Sequence, residues 1–127
     1  MSDYYQRIGS EAVEFANTDV QKLLIYAEVE DGVISCDLFY LPVSGGDVQF
    51  RFCTAKMKDM VYEYWERGQG PIKPESWAVM RYTVEAGKFS VAHEYPDQID
   101  KDEDCSDRRP RAVASFFPGA RIDYSKP

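Results

Sequence analysis

Residues 22–41 constrain the fold of this chain more than any other stretch. Leu23, Ile25, Ala27 and Val29 alternate with Leu24, Tyr26, Glu28 and Glu30, Asp31-Gly32 follows, and a second alternating run leads to Tyr40. Alternation at period two sends successive side chains to opposite faces of a strand. Gly32 tolerates the positive φ that a type I′ hairpin turn requires. Closing the hairpin there sets Val29 opposite Ile34, Ala27 opposite Cys36, Ile25 opposite Leu38 and Leu23 opposite Tyr40. All eight then share one face. A slip of one residue would turn either strand's apolar set to the other side, so turn chemistry and apolar pattern select the same register.

The remaining elements are read around that hairpin. A helix is predicted over 3–17, with Ser2 as its cap and Tyr5, Ile8, Ala12 and Phe15 at helical spacing. Gly9 within it costs about 1 kcal/mol. A third strand over 48–53 places Val48, Phe50 and Phe52 on the hairpin's apolar face, pairing Leu38 with Phe50 and Cys36 with Phe52. Cys53 then points away, and Cys36 is a buried thiol rather than half of a disulfide. A second helix runs from Thr54 to about Arg67, carries the stripe Met57, Met60, Val61 and Tyr64, and stops at Gly68. A second hairpin spans 77–95 and turns near Ala86-Gly87, with Glu85 facing Lys88. A short helix starts at Ser106 or Asp107 and ends at Phe117, with Pro110 in its first turn, where no backbone N–H is needed.

The order is therefore α-β-β-β-α-β-β-α, a single α+β domain over residues 1–127. Its mainly antiparallel five-stranded sheet is covered on one face by helices, giving two layers. The opposite sheet face carries Leu24, Tyr26, Phe39, Trp77 and Val79, more apolar than a solvated face should be. Either a second covering layer or an aromatic patch for a peptide, protein or small ligand accounts for it.

Charge bounds the function. The chain carries a net charge of −7, and residues 94–107 hold seven carboxylates against the one lysine Lys101. A concentrated acidic segment attracts basic partners over a distance. It disfavours direct nucleic-acid binding, which needs a basic surface, and the small cluster Arg108, Arg109 and Arg111 lies beside acids that offset its field. The apolar runs are too short for a membrane span. The first residues lack the cationic start and apolar centre of a secretory signal, so a cytoplasmic protein is expected.

Catalytic and metal signatures do not assemble. The three cysteines, Cys36, Cys53 and Cys105, form no C-x-x-C pair, and His93 is the only histidine. A zinc site or a disulfide framework is therefore not expected. Asp100, Asp102 and Asp104 match the start of a calcium loop, but Cys105 stands where glycine should shape the turn and Arg111 where a bidentate glutamate should close the cage. His93 falls on the apolar face opposite Met80, as a packed side chain rather than a base. Ser90 and Ser115 lack a nucleophile-elbow context, and no phosphate-binding glycine loop is present. Glu28 and Asp37 approach each other on the outer face as surface charge. No enzyme activity, cofactor or metal is expected.

Three stretches carry a family resemblance: Leu24-Ile-Tyr-Ala-Glu-Val-Glu-Asp-Gly32 leading to Cys36-Asp-Leu-Phe-Tyr40; Glu75-Ser-Trp77 through Gly87-Lys-Phe89 to Glu94-Tyr95-Pro-Asp97; and Asp107-Arg-Arg109 leading to Ser115-Phe-Phe117. Their order and spacing over roughly residues 3 to 118 resemble the YezG-like immunity proteins of bacterial polymorphic-toxin systems. The resemblance implies an α+β cytosolic protein that binds and blocks a cognate toxin domain, often a nuclease, without catalysis. A nuclease presents a basic cleft. On that expectation Asp97, Asp100, Asp102, Glu103 and Asp104 steer the encounter and Tyr95 anchors it.

Overall fold

The computed structural model describes residues 2–30, 33–67, 77–95, 98–100, 102–103 and 105–125. Their elements run α1 (Ser2–Ala16), β1 (Val20–Glu30), β2 (Val33–Pro42), β3 (Val48–Phe52), α2 (Ala55–Arg67), β4 (Val79–Glu85), β5 (Lys88–Glu94), α3 (Cys105–Phe116) and β6 (Ile122–Asp123). The predicted α-β-β-β-α-β-β-α order holds, and α1 already includes the Ser2 expected just ahead of it. A short sixth strand follows it. The sheet order is β5-β4-β1-β2-β3-β6, antiparallel except where β6 runs parallel to β3. It is thus six-stranded and mixed, because the chain's tail returns to the β3 edge.

The first hairpin adopts the register its pattern dictates, with Leu23, Ile25, Ala27 and Val29 opposite Tyr40, Leu38, Cys36 and Ile34. Its Asp31-Gly32 turn and the Gly68 helix stop lie outside the described residues. The second hairpin also closes as expected, with Glu85 opposite Lys88, Val84 opposite Phe89 and Met80 opposite His93. Ala86 and Gly87 both take positive φ, at 54° and 76°, which suits the twist of a two-residue turn. β4 pairs with β1, so Ala27 meets Met80 and Ile25 meets Tyr82.

One core lies between this sheet face and helices α1 and α2. Ile8 and Ala12 of α1 and Met57, Met60, Val61 and Tyr64 of α2 pack on Leu23, Ile25, Ala27, Leu38, Tyr40, Met80 and Tyr82. Thr54 caps α2, its Oγ1 accepting the Met57 N–H at 3.1 Å. Phe15 departs from the expected α1 stripe and is exposed, while Ala16 packs against the core instead. Gly9 has a steric reason. A methyl group there would strike the Tyr82 hydroxyl, which donates to the Tyr5 carbonyl at 2.7 Å.

The two-layer expectation fails at α3. That helix covers the other sheet face, where Val113 and Phe117 pack with Leu24, Phe39, Val48 and Phe50, and Ala112 with Tyr26 and Val79. The molecule has three layers, helix–sheet–helix. The expected β3 register is also off by one residue: Phe39 pairs with Phe50, and Asp37 with Phe52. Val48 and Phe50 therefore face α3. Cys53 turns to the first core beside Cys36, and both are free buried thiols. Hydrogen bonding of its S–H to Cys36, together with burial, pushes the Cys53 thiol far up. Trp77, expected on the outer face, belongs to the first core as well.

Candidate partner-binding site

α3 begins one residue ahead of its expected start, so Pro110 sits in its second turn rather than its first. The helix nevertheless holds, seated by Ala112, Val113 and Phe117. That seating aims its first arginines into the sheet. Arg108 forms a fork with Glu28, Nε to Oε2 at 3.1 Å and an Nη to Oε1 at 2.7 Å. Tyr26 donates its hydroxyl to the same Oε2 at 2.6 Å. The other Nη of Arg108 donates to the Glu103 carbonyl at 2.7 Å. Arg109 reaches Asp37 at 2.8 Å and lies over the Phe50 ring. Glu28 and Asp37 are buried, not the surface charge expected of them. A charge removed from water requires a partner with matched hydrogen bonds. Donating hydrogen bonds to the Glu28 carboxylate holds the Arg108 guanidinium above its usual pKa.

The signal for these pairs was present in the sequence. Glu28 and Asp37 sit on a face whose other members are Leu24, Tyr26 and Phe39. Carboxylates on an apolar face need a cation from whatever covers it. Arg108 and Arg109, adjacent on the third predicted helix, are such cations, although that helix was expected on the first face with the other two.

The acidic segment follows β5. Tyr95 is partly exposed at the strand's end, and Gln98 closes the bend there by accepting the Tyr95 N–H through Oε1 at 2.9 Å. Asp100 and Asp102 are exposed, and Asp100 Oδ1 accepts the Asp102 N–H at 2.9 Å. Glu103 turns back to Arg111 in a two-point pair at 2.6 and 2.8 Å. Hydrogen bonding from Arg111 holds the Glu103 carboxyl below its usual range and raises the arginine in return. Asp97 and Asp104 lie outside the described residues. Of the six expected contact residues, Tyr95, Asp100 and Asp102 are thus exposed, and Glu103 is engaged internally by Arg111.

Beside this bend is a recess of about 200 Å³, lined by Tyr26, Arg81, Glu94, Arg108, Arg111 and others. Its three arginines are each met by a carboxylate: Arg81 by Glu94, Arg108 by Glu28 and Arg111 by Glu103. Among the described residues, no group of three or more His, Cys, Asp or Glu side chains has metal-binding geometry. No described helix is long and apolar enough to cross a membrane.

His93 sits where its register placed it. Its ring stacks on Tyr64 and packs against Trp77, and its Nε2 shares a 3.0 Å hydrogen bond with the Tyr64 hydroxyl. That hydroxyl also bonds the Tyr5 hydroxyl at 2.7 Å. Burial lowers the His93 pKa and raises that of Tyr64. The outer sheet face considered for ligand binding is occupied by α3, which removes that surface. No protein-family model matches the chain, and a search of curated proteins returns no match.

Proposed function

We propose that this chain is a non-catalytic immunity protein that binds and neutralises a cognate toxin domain through the acidic bend after β5. The observation that carries the reading is the disposal of the neighbouring arginines. Arg108 and Arg109 spend their charge on buried Glu28 and Asp37. They are thereby kept from offsetting exposed Asp100 and Asp102, which follow partly exposed Tyr95 within a few residues. An anionic rim with an aromatic side chain suits a basic, substrate-binding cleft: the charges speed encounter and the ring supplies buried contact. The engagement of His93 within an aromatic cage supports the non-catalytic part.

The test is co-expression with the toxin encoded beside this gene, followed by binding kinetics. The wild-type chain is expected to restore growth. Asp100→Lys with Asp102→Lys is expected to slow association by roughly tenfold or more at low salt, with the difference shrinking as salt rises. An adjacent toxin that stays lethal in the presence of abundant protein would refute the reading. Unchanged association after the reversals would exclude the bend as the docking surface.

A further inference from the structure

β5 ends the sheet, paired with β4 on one side only among the described residues. Its residues are mostly exposed, as an uncovered edge requires, and Phe89 keeps 45% of its surface in solvent. The two-residue turn makes Glu85 and Lys88 a hydrogen-bonded pair, and bonded pairs then recur at every second residue. The Thr83 hydroxyl reaching the Ser90 carbonyl agrees, since that carbonyl must point towards β4. The N–H and C=O groups of Phe89, Val91 and His93 therefore point outward. An edge with outward-facing groups is a template for another strand unless something blunts it. Neither proline nor a bulge interrupts Lys88-Phe-Ser-Val-Ala-His-Glu94.

The strand is also complementary to itself. Turning a copy antiparallel about Val91 sets Lys88 opposite Glu94, Phe89 opposite His93 and Ser90 opposite Ala92. All outward-facing backbone groups then find partners of the same parity. Lys88 and Glu94 fall at non-bonded positions, where cross-strand side chains come closest. The ion pair occurs twice, once on each side of the axis. On the α3 side of the sheet, Ser90 and Ala92 are small enough to leave the approach open. The exposed Phe89 ring, already stacked on Tyr82, lies beside a shallow apolar groove between α1 and the hairpin tip, and the second strand would cover it.

We propose that the open side of β5 docks a second copy of this chain, joining the two sheets antiparallel about Val91. The interface is isologous, so each residue acts twice. Sedimentation velocity across a concentration series tests it on the full chain. The wild type is expected to shift with concentration to twice its 14.6 kDa mass. Lys88→Glu or Glu94→Lys alone is expected to weaken association by roughly tenfold, because each places like charges together twice. The double swap Lys88→Glu/Glu94→Lys is expected to restore it, whereas a folding defect from reversing the intrachain Glu85–Lys88 and Arg81–Glu94 pairs would be largest in that double variant. Val91→Pro removes an N–H that points away from β4, so it is expected to abolish pairing while the circular dichroism spectrum stays native. A chain that is monomeric up to its solubility limit overturns the proposal. So does a dimer indifferent to both the charge changes and Val91→Pro. These substitutions leave Asp100 and Asp102 untouched, so the result is separate from that of the toxin-binding test.

Discussion

Replacing Arg108 by methionine tests whether α3 is latched by charge as well as by apolar packing. The Arg108 and Glu28 side chains expose only 10% and 8% of their surface, and two hydrogen bonds join them. The substitution keeps most of the aliphatic volume and leaves the Glu28 carboxylate buried without its guanidinium, with Tyr26 still donating. Removing one partner of a buried ion pair costs about 3–5 kcal/mol, because the remaining charge stays desolvated. Against a total stability of about 5–15 kcal/mol for a domain, that is a large fraction. Urea denaturation followed by circular dichroism at neutral pH measures it. Adding Glu28→Gln is expected to recover at least half the loss, since no unpaired charge then remains. Arg111→Met is the control. Its partner Glu103 lies nearer solvent, and screening leaves a far smaller effect. A loss below about 1 kcal/mol for Arg108→Met, the size expected of a solvent-exposed pair, would refute the latch. A double variant no more stable than the single one would refute the desolvation argument specifically.

Two further predictions concern the first core. Gly9→Ala raises helix propensity by about 1 kcal/mol, yet its methyl must displace the Tyr82 hydroxyl, and overpacking costs about 1–3 kcal/mol. A net loss in urea melts is expected, smaller in a Tyr82→Phe background, and a Gly9→Ala variant more stable than wild type would refute the close approach. His93 has its pKa lowered by burial, so folding favours the neutral ring. Its contribution is complete above the ordinary histidine value of about 6.5 and is lost as pH falls from there through the lowered folded value. Stability measured between about pH 7 and pH 5 should therefore fall more steeply in wild type than in His93→Gln, and parallel curves would contradict that assignment.

Both hairpins were legible because two independent signals fixed each register. Alternation chose the face, and a two-residue turn chose the partner. The α2 stripe was legible for a similar reason: Thr54 marks its start, and Met57, Met60, Val61 and Tyr64 fall on one side. The seat of α3 was not, because helical periodicity says which side of a helix is apolar and never which sheet face it covers. The candidate site was partly legible. Composition located the acidic segment, but only geometry shows Glu103 folded onto Arg111 while Asp100 and Asp102 face outward.

The misplaced register of β3 and the assignment of α3 to the first helical layer are one error. α1 and α2 cover β4, β1 and β2 on one side, whereas the α3 cluster covers β1, β2 and β3 on the other. The two helical layers are staggered across the sheet. At β4 the α3 side turns polar beyond Val79, with Arg81, Thr83 and Glu85. At β3 the opposite side turns polar, with Gln49 and Arg51, because the first pair of helices does not extend over it. Val48 and Phe50 are apolar at period two, and that period alone is compatible with burial on either side. With both faces of β2 apolar, nothing local to β3 distinguishes Leu38 from Phe39 as the partner of Phe50. The deciding signal was distant: Arg109 needs Asp37, Arg108 needs Glu28, and a helix brought down to meet them demands Phe50 and Val48 beneath Val113 and Phe117. The buried charges therefore fix which face β3 must present.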